Sequence, residues 1–311
     1  MTDTGNPRNT KSGPSRMAEG IALQRFAESS LPEDERIFFD PYAIRFLDPV
    51  MLTWAKEHPA EAQALAAEWE QKMPGWGNAI RARVRYFDDL VNREAGAGPE
   101  QLVILGAGYD TRAYRLGGLK DLKVYEVDRP ETLAVKTGII TKIFGSLPGH
   151  VAYVPATLGS DCIHEDLSRA GYSEKKKTLF LLEGLVMYMS RDAVVDLLAF
   201  IRKHSRPGSR IIFDCVPDFM ISGAIDREGS GNIRNYTQAV GEPLCFGLPE
   251  GESGSFLEEQ GYCDVTVITG EDFKRLYLSG KNAGRPVSCL MSLVSGIVPG
   301  PASPDRAGGW S

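Results

Sequence analysis

No C-x-x-C pair joins any of the five cysteines (Cys162, Cys215, Cys245, Cys263, Cys289), and the four histidines (His58, His150, His164, His204) are equally scattered. A compact zinc signature sets its ligands at short fixed spacings, so no metal is expected. A secreted disulfide framework is excluded too. An odd number of dispersed thiols, behind an opening MTDTGNPRNTKSGPSR with no apolar core for export, fits a reducing cytosol. Long hydrophobic runs are missing. The longest, Leu179 to Met189, is broken by Glu183 and too short to cross a bilayer. Nor is there an excess of positive charge: the formal net charge of -6 disfavours a general nucleic-acid binder, which needs a basic face for phosphates. A cytoplasmic protein partnered by neither membrane nor nucleic acid is expected.

What is present is ordinary globular composition, 42% hydrophobic and 24% charged over 311 residues. That is enough chain to bury a core without staples, and one α/β domain with appendages can fill it. Residues 1–15 and 299–311 are polar and rich in Gly, Pro and Ser, and read as disordered tails. From Arg16 to about Glu94 the pattern is helical, cut by Pro32, Pro41, Pro59 and Pro74; residues 16–95 are assigned as a helical cap. Ala43, Phe46, Leu47 and Val50 share one predicted face there. At Gly96 the texture changes. Short apolar runs follow at Leu102–Gly108, Lys123–Asp128, His150–Ala156, Thr178–Glu183 and Arg210–Val216. Helical patterns lie between them at Pro130–Phe144, about Asp161–Ala170 and Arg191–His204. Strands alternating with helices imply a mostly parallel sheet covered on both faces. Tyr262–Thr269 and Val287–Val298, on either side of a helical stretch near Asp272–Leu278, add two more strands, making a seven-stranded Rossmann-like core over residues 96–298 that ends in a hairpin. Residues 218–254 fall outside the repeat and are predicted to be an inserted lid.

Three loops carry the chemistry. The run Leu105-Gly106-Ala107-Gly108-Tyr109-Asp110-Thr111-Arg112 ends a strand in Gly-x-Gly, where missing Cβ atoms let backbone approach a ligand. The third glycine of a dinucleotide fingerprint would fall at Thr111 and is absent. Asp128 closes the next strand 20 residues after Gly108, the place for an acid that accepts hydrogen bonds from ribose hydroxyls; capping the helix that starts at Pro130 is its alternative. Glu126, two residues earlier, shares its sheet face. Glu183 ends a third apolar strand in LLEGLVMYM. A carboxylate there is costly unless it serves a cationic ligand or pairs with an arginine.

Taken together, FAESSLPEDERIFFDPYAIRFL, LGAGYDTRAYRL, EVDRPETLAVK and LEGLVMYMS resemble the leucine carboxyl methyltransferase family, which includes polyketide-type O-methyltransferases. The resemblance spans roughly residues 16–298. It implies a class I fold, S-adenosylmethionine as methyl donor, and O-methylation, in the best-known members of a carboxylate. Carried onto this chain, it implies cofactor contacts from the Gly106-Ala107-Gly108 turn, from Asp128 and from Glu183. The family arginine that holds the cofactor's carboxylate matches Arg83, with Arg81 and Arg85 as rivals. Where the family carries Asp-Leu for the adenine amino group, this chain has Thr157-Leu158, so a hydroxyl or the nearby Asp161 replaces the acid. Arg25 stands where eukaryotic members place a lysine near Gln24.

Methyl transfer is an in-line displacement at a sulfonium carbon, so the protein's tasks are alignment and exclusion of water. A carboxylate acceptor is already ionised at neutral pH, whereas an alcohol needs a base, and no histidine–acid dyad is visible. The expected acceptor is therefore a carboxylate or acidic hydroxyl, on a small molecule or a protein terminus. Tyr188 and Arg112 are candidates for positioning it, and Asp214 is a further acid at a strand end. The competing readings are a noncatalytic S-adenosylmethionine-binding module and a dinucleotide-dependent oxidoreductase.

Overall fold

The computed structural model describes residues 15–96, 98–157 and 163–300. The predicted tails lie almost wholly outside these residues, as do Leu158 and Asp161. Four helices come first: α1 (Arg16–Ser29), α2 (Pro49–Glu57), α3 (Pro59–Lys72) and α4 (Trp76–Ala95). The starts of α1 and α2 are set locally, by the Ser15 hydroxyl accepting from the Ala18 amide and the Asp48 carboxylate from the Val50 amide. That second cap corrects one expectation. Asp48-Pro49 begins a new helix, so the helical period does not run from Ala43 through Val50: Ala43, Phe46 and Leu47 are buried, while Val50 is 75% exposed.

Strands and helices then alternate: β1 (Gln101–Leu105), α5 (Arg112–Arg115), β2 (Lys123–Asp128), α6 (Pro130–Phe144), β3 (Val151–Pro155), α7 (Ile163–Arg169), β4 (Thr178–Leu182), α8 (Arg191–Lys203) and β5 (Arg210–Cys215). After β5 come α9 (Phe219–Ser222) and α10 (Ser230–Ala239) outside the sheet, then α11 (Ser253–Glu259), β6 (Cys263–Ile268), α12 (Gly270–Tyr277) and β7 (Ser292–Ile297). The seven strands run in the order β3-β2-β1-β4-β5-β7-β6. β1 to β5 pair in parallel and β7 is antiparallel to both neighbours. The α/β class and strand count match the sequence reading. The final two strands are antiparallel neighbours joined through α12, where the sequence places a helical stretch, and β7 slots between β5 and β6. β7 is also shorter than predicted. The Ser288 amide bonds to Gly75 and the Cys289 amide to Glu228, so this stretch spends its backbone donors outside the sheet.

Alternation along the strands divides the core. Ile104, Leu181 and Ile212 face a layer holding Ala22 of α1, Phe87 and Leu90 of α4, Ile140 of α6 and Phe273 of α12. Val103, Phe180 and Phe213 face Leu167 of α7, Leu198 of α8 and Phe256 of α11. A smaller cluster joins Met187 and Val216 to Phe219, Met220 and Ile233 of the insertion. The bonds of Leu248 N–H to Val216 and of Asp218 N–H to Leu248 close the insertion's base.

Candidate active site

The sheet register builds the site. Leu105 pairs with Val127, Ile104 with Leu181, and Leu182 with Phe213. Gly106, Asp128, Glu183 and Asp214 each follow in one row at the carboxyl edge, where open α/β sheets bind ligands. Adjacent positions in a parallel row point the same way, so the three carboxylates share the face covered by α4.

The first two tips touch. The Gly108 amide donates to Asp128 Oδ2 at 2.6 Å, and the Arg129 amide donates to Asp128 Oδ1 at 2.7 Å. Gly106 and Gly108 have φ of +67° and +43°, a region costly for residues with a Cβ. Asp128 thus reaches the glycine turn. Glu126 behaves differently: it is fully buried, 2.8 Å from Lys136 Nζ and 2.9 Å from the Tyr114 hydroxyl, with its Oε1 atom unpartnered. Burial raises its carboxyl above the ordinary glutamate value, against the pull of Lys136. Lys136 also donates to the Ala107 carbonyl at 3.3 Å, so a buried ammonium ties the second strand to the turn after the first. Sequence reading missed Lys136, whose only signal was a lysine on the inner face of an amphipathic helix.

At the other two tips the carboxylates meet guanidinium groups. Arg83 of α4 binds Glu183 through Nε at 3.0 Å and Asp214 through Nη1 at 2.6 Å. Arg112 Nη1 lies 2.5 Å from both Glu183 Oε2 and Asp110 Oδ2, while its Nε bonds to Asp88 at 2.7 Å and its Nη2 to the Val84 carbonyl at 3.1 Å. Arg115 completes the cluster by gripping Asp88 with both terminal nitrogens. Burial works to neutralise Glu183, but Arg112 and then Arg83 outweigh it and hold the carboxyl below its usual range. In Asp214 the balance tips the other way: burial raises it despite Arg83 and the Gly184 amide.

Geometry separates the three candidate arginines. Arg81 bonds to Gln24 and Asn78, and Arg85 pairs with Asp89 and reaches the Ile37 carbonyl. Only Arg83 reaches the strand tips. Arg112, read as a candidate for holding the acceptor, is buried with all three guanidinium nitrogens engaged, and so braces Glu183. Tyr188 is half-buried in the small cluster beneath the insertion, close enough to feel the Arg83 charge; burial raises its phenol. Thr157 is exposed just past β3, beside Ala156, whose amide bonds to the Asp128 carbonyl. Arg25 bonds to the Tyr109 carbonyl at 2.6 Å and pairs with Asp40, anchoring α1 to the loop after the glycine turn.

Over this row sit α1 and the insertion. A Cβ on Gly108 would stand 3.3 Å from Ala18 of α1, and one on Gly106 would stand 2.8 Å from Leu185. Ser15 donates to Glu242, Trp69 of α3 packs edge-on to Tyr236 of α10 at 5.3 Å, and Asn232 holds the Lys72 carbonyl. The N-terminal helices and the insertion therefore meet above the carboxyl edge.

A family profile described as leucine carboxyl methyltransferase matches residues 18–202. The chain belongs to the leucine carboxyl methyltransferase family. Membership makes it an S-adenosylmethionine-dependent methyltransferase. It is 34% identical over 218 residues, 70% of this chain and 82% of the other, to a Mycolicibacterium gilvum protein provisionally named as such an enzyme. A Mycobacteroides abscessus protein of the same provisional name is 29% identical over 276 residues, covering 84% of this chain and 87% of that one. Among solved structures, a provisionally assigned methyltransferase from Thermobifida fusca superposes with TM-score 0.55 at 19% identity, covering 76% of this chain and 88% of its own. A DUF574 family protein from Streptomyces avermitilis gives 0.57 at 12% identity over 92% and 98%. These two likenesses speak for the fold alone. No helix among the described residues is long and apolar enough to cross a membrane.

Proposed function

We propose that this methyltransferase transfers its methyl group to an oxygen that is already anionic, a carboxylate or acidic hydroxyl of a small molecule or a protein terminus. One observation carries the reading: among the described residues, no carboxylate of the row at the carboxyl edge is left free as a base, Asp128 already accepting from the Gly108 and Arg129 amides. Glu183 is bound by Arg83 and Arg112, and Asp214 by Arg83 and the Gly184 amide. Burial raises the Tyr188 phenol, which therefore stays protonated at neutral pH. His150 lies at the amino end of β3, His164 and His204 near the amino end of β4, and His58 on the exposed turn between α2 and α3. An acceptor that brings its own charge needs none of them.

The donor set fits S-adenosylmethionine by its chemistry. Asp128, half-exposed beside the Gly108 amide, is the carboxylate for a ribose diol; Arg83, with Nε and Nη1 engaged, keeps Nη2 for the amino-acid carboxylate. The turn Gly106-Ala107-Gly108 would carry the nucleoside, Glu183 would lie by the amino-acid half, and Thr157 would edge the base. The bound sulfonium supplies the methyl electrophile. The chain's own part is to brace Glu183 through Arg112, to hold the glycine turn through Lys136 and Asp128, and to shut out water with α1 and the insertion.

Incubating the enzyme with methyl-labelled donor and fractionated host extract tests this. An ester product releases volatile labelled methanol on mild alkali, whereas alkyl ethers and methylamines do not. Alkali-stable label in the main product would overturn carboxylate as the acceptor class, and donor binding without transfer to any fraction would favour the noncatalytic module.

A further inference from the structure

At the opposite end of the sheet from the strand-tip row, three residues far apart in sequence converge. His164 lies in α7, Glu174 in the loop before β4, and His204 caps the carboxyl end of α8. His164 Nε2 stands 2.7 Å and His204 Nδ1 2.5 Å from the same atom, Glu174 Oε1. The two imidazole rings lie 4.3 Å apart. Phe200 packs against both, and the Tyr172 hydroxyl holds the His204 carbonyl at 2.7 Å, so the rings are set by their surroundings. The three ligating atoms all fall within 4.8 Å of one another.

We infer that His164, Glu174 and His204 form a binding site for a divalent transition-metal ion, zinc foremost, that clasps α7 to α8. Two imidazoles and one carboxylate are the donor set zinc favours when a fourth position is left to water. A tetrahedral ion with bonds of about 2.0–2.1 Å spaces its ligands roughly 3.3 Å apart, so shifts on the order of an ångström convert the cluster into a coordination shell. Two ring nitrogens aimed at one carboxylate oxygen each donate it a hydrogen bond; one cation between the three groups takes the place of both. The site is partly exposed, with the His204 side chain 22% and the Glu174 side chain 44% accessible, which gives an ion a path in. It lies away from the row that serves methyl transfer, so its role is to fix the α7 segment that follows the Thr157 edge.

Cobalt reports the ligand set directly. Chelator-stripped full-length protein titrated with Co²⁺ should bind one ion per chain and show visible ligand-field bands without sulfur-to-metal charge transfer, and Zn²⁺ should displace it. Zn²⁺ should raise the melting temperature of the wild type by mass action. His164→Ala, His204→Ala and Glu174→Gln should each weaken binding at least about tenfold, a loss already reached by changing residues that only hydrogen-bond to a metal's ligands. His58→Ala, altering a half-buried histidine elsewhere, should leave binding unchanged, and donor binding by calorimetry should survive in all four variants. A thiolate band, unchanged affinity in the His164→Ala/His204→Ala double variant, or no stoichiometric binding to the folded wild type would each overturn the assignment.

Discussion

The Gly108 amide donates to the Asp128 carboxylate across 2.6 Å, so the tips of the first two strands are joined by the groups proposed to bind the nucleoside. Asp128→Ala removes the acceptor for two backbone amides and the carboxylate proposed for the ribose. S-adenosylmethionine binding should fall below detection by calorimetry, while stability drops by about 1–2 kcal/mol for two lost hydrogen bonds. Asp128→Asn, keeping one of the two acceptors and facing the other amide with a donor, should recover at most part of the stability and little of the binding. Near-normal affinity in Asp128→Ala would refute the ribose contact.

Arg112 is the hinge of the charge cluster. Truncation to Met removes the guanidinium shared by Glu183, Asp110 and Asp88 and leaves buried carboxylates short of partners. Breaking such a set by deleting one member costs about 3–5 kcal/mol. A urea midpoint lowered to match, with the slope unchanged, is the expected result. A loss under about 1 kcal/mol would mean that water already solvates the cluster.

How far the sequence reached depends on whether a signal is local. Lys123–Asp128 and Pro130–Phe144 were legible to the residue, because an apolar run ending in acid and a proline at the first helical position mark their own limits. Gly106, Gly108 and Asp128 were legible because a turn and an acid at fixed spacing leave a trace. The rest arises only on folding. Arg83, Arg81 and Arg85 look alike along one helix, and register alone decides which reaches Glu183 and Asp214. Val50 follows the apolar period of its neighbours, yet the Asp48 cap turns it outward. The convergence of His164, Glu174 and His204 depends on where α7 ends relative to α8. Lys136 left only the faint trace of a lysine on an inner helix face, because its burial depends on a partner, Glu126, that folding brings to it.

That pair makes a pH prediction. Burial lifts the Glu126 carboxyl above the ordinary value of 4.5, so the native state binds this proton more tightly than the unfolded chain. Its contribution to stability is greatest in acid and is lost as pH rises through the raised value. Lys136→Met removes the cation opposing that rise, so the variant should lose stability between weak acid and neutrality much more steeply than the wild type. Adding Glu126→Gln should flatten the profile. Thermal melts across pH decide it: a Lys136→Met variant whose deficit does not grow with pH would show that Glu126 is not charged in the native protein.

The last prediction separates backbone strain from contact at the glycine turn. Gly106→Ala places a Cβ at φ +67°, which costs about 1 kcal/mol, and 2.8 Å from Leu185 Cδ1, which forces that side chain aside. Leu185→Ala clears the space but loses packing against the core layer behind the sheet. The contact term is therefore shared and the backbone term is not. The double variant should be less destabilised than the sum of the singles, by about 0.5–2 kcal/mol, while still weaker than Leu185→Ala alone by the strain of the turn. Donor affinity should fall in both variants that carry the alanine at 106, since the added methyl occupies the face where the backbone must come close. Strict additivity would place Leu185 elsewhere in solution, and unchanged affinity would remove the turn from the proposed site.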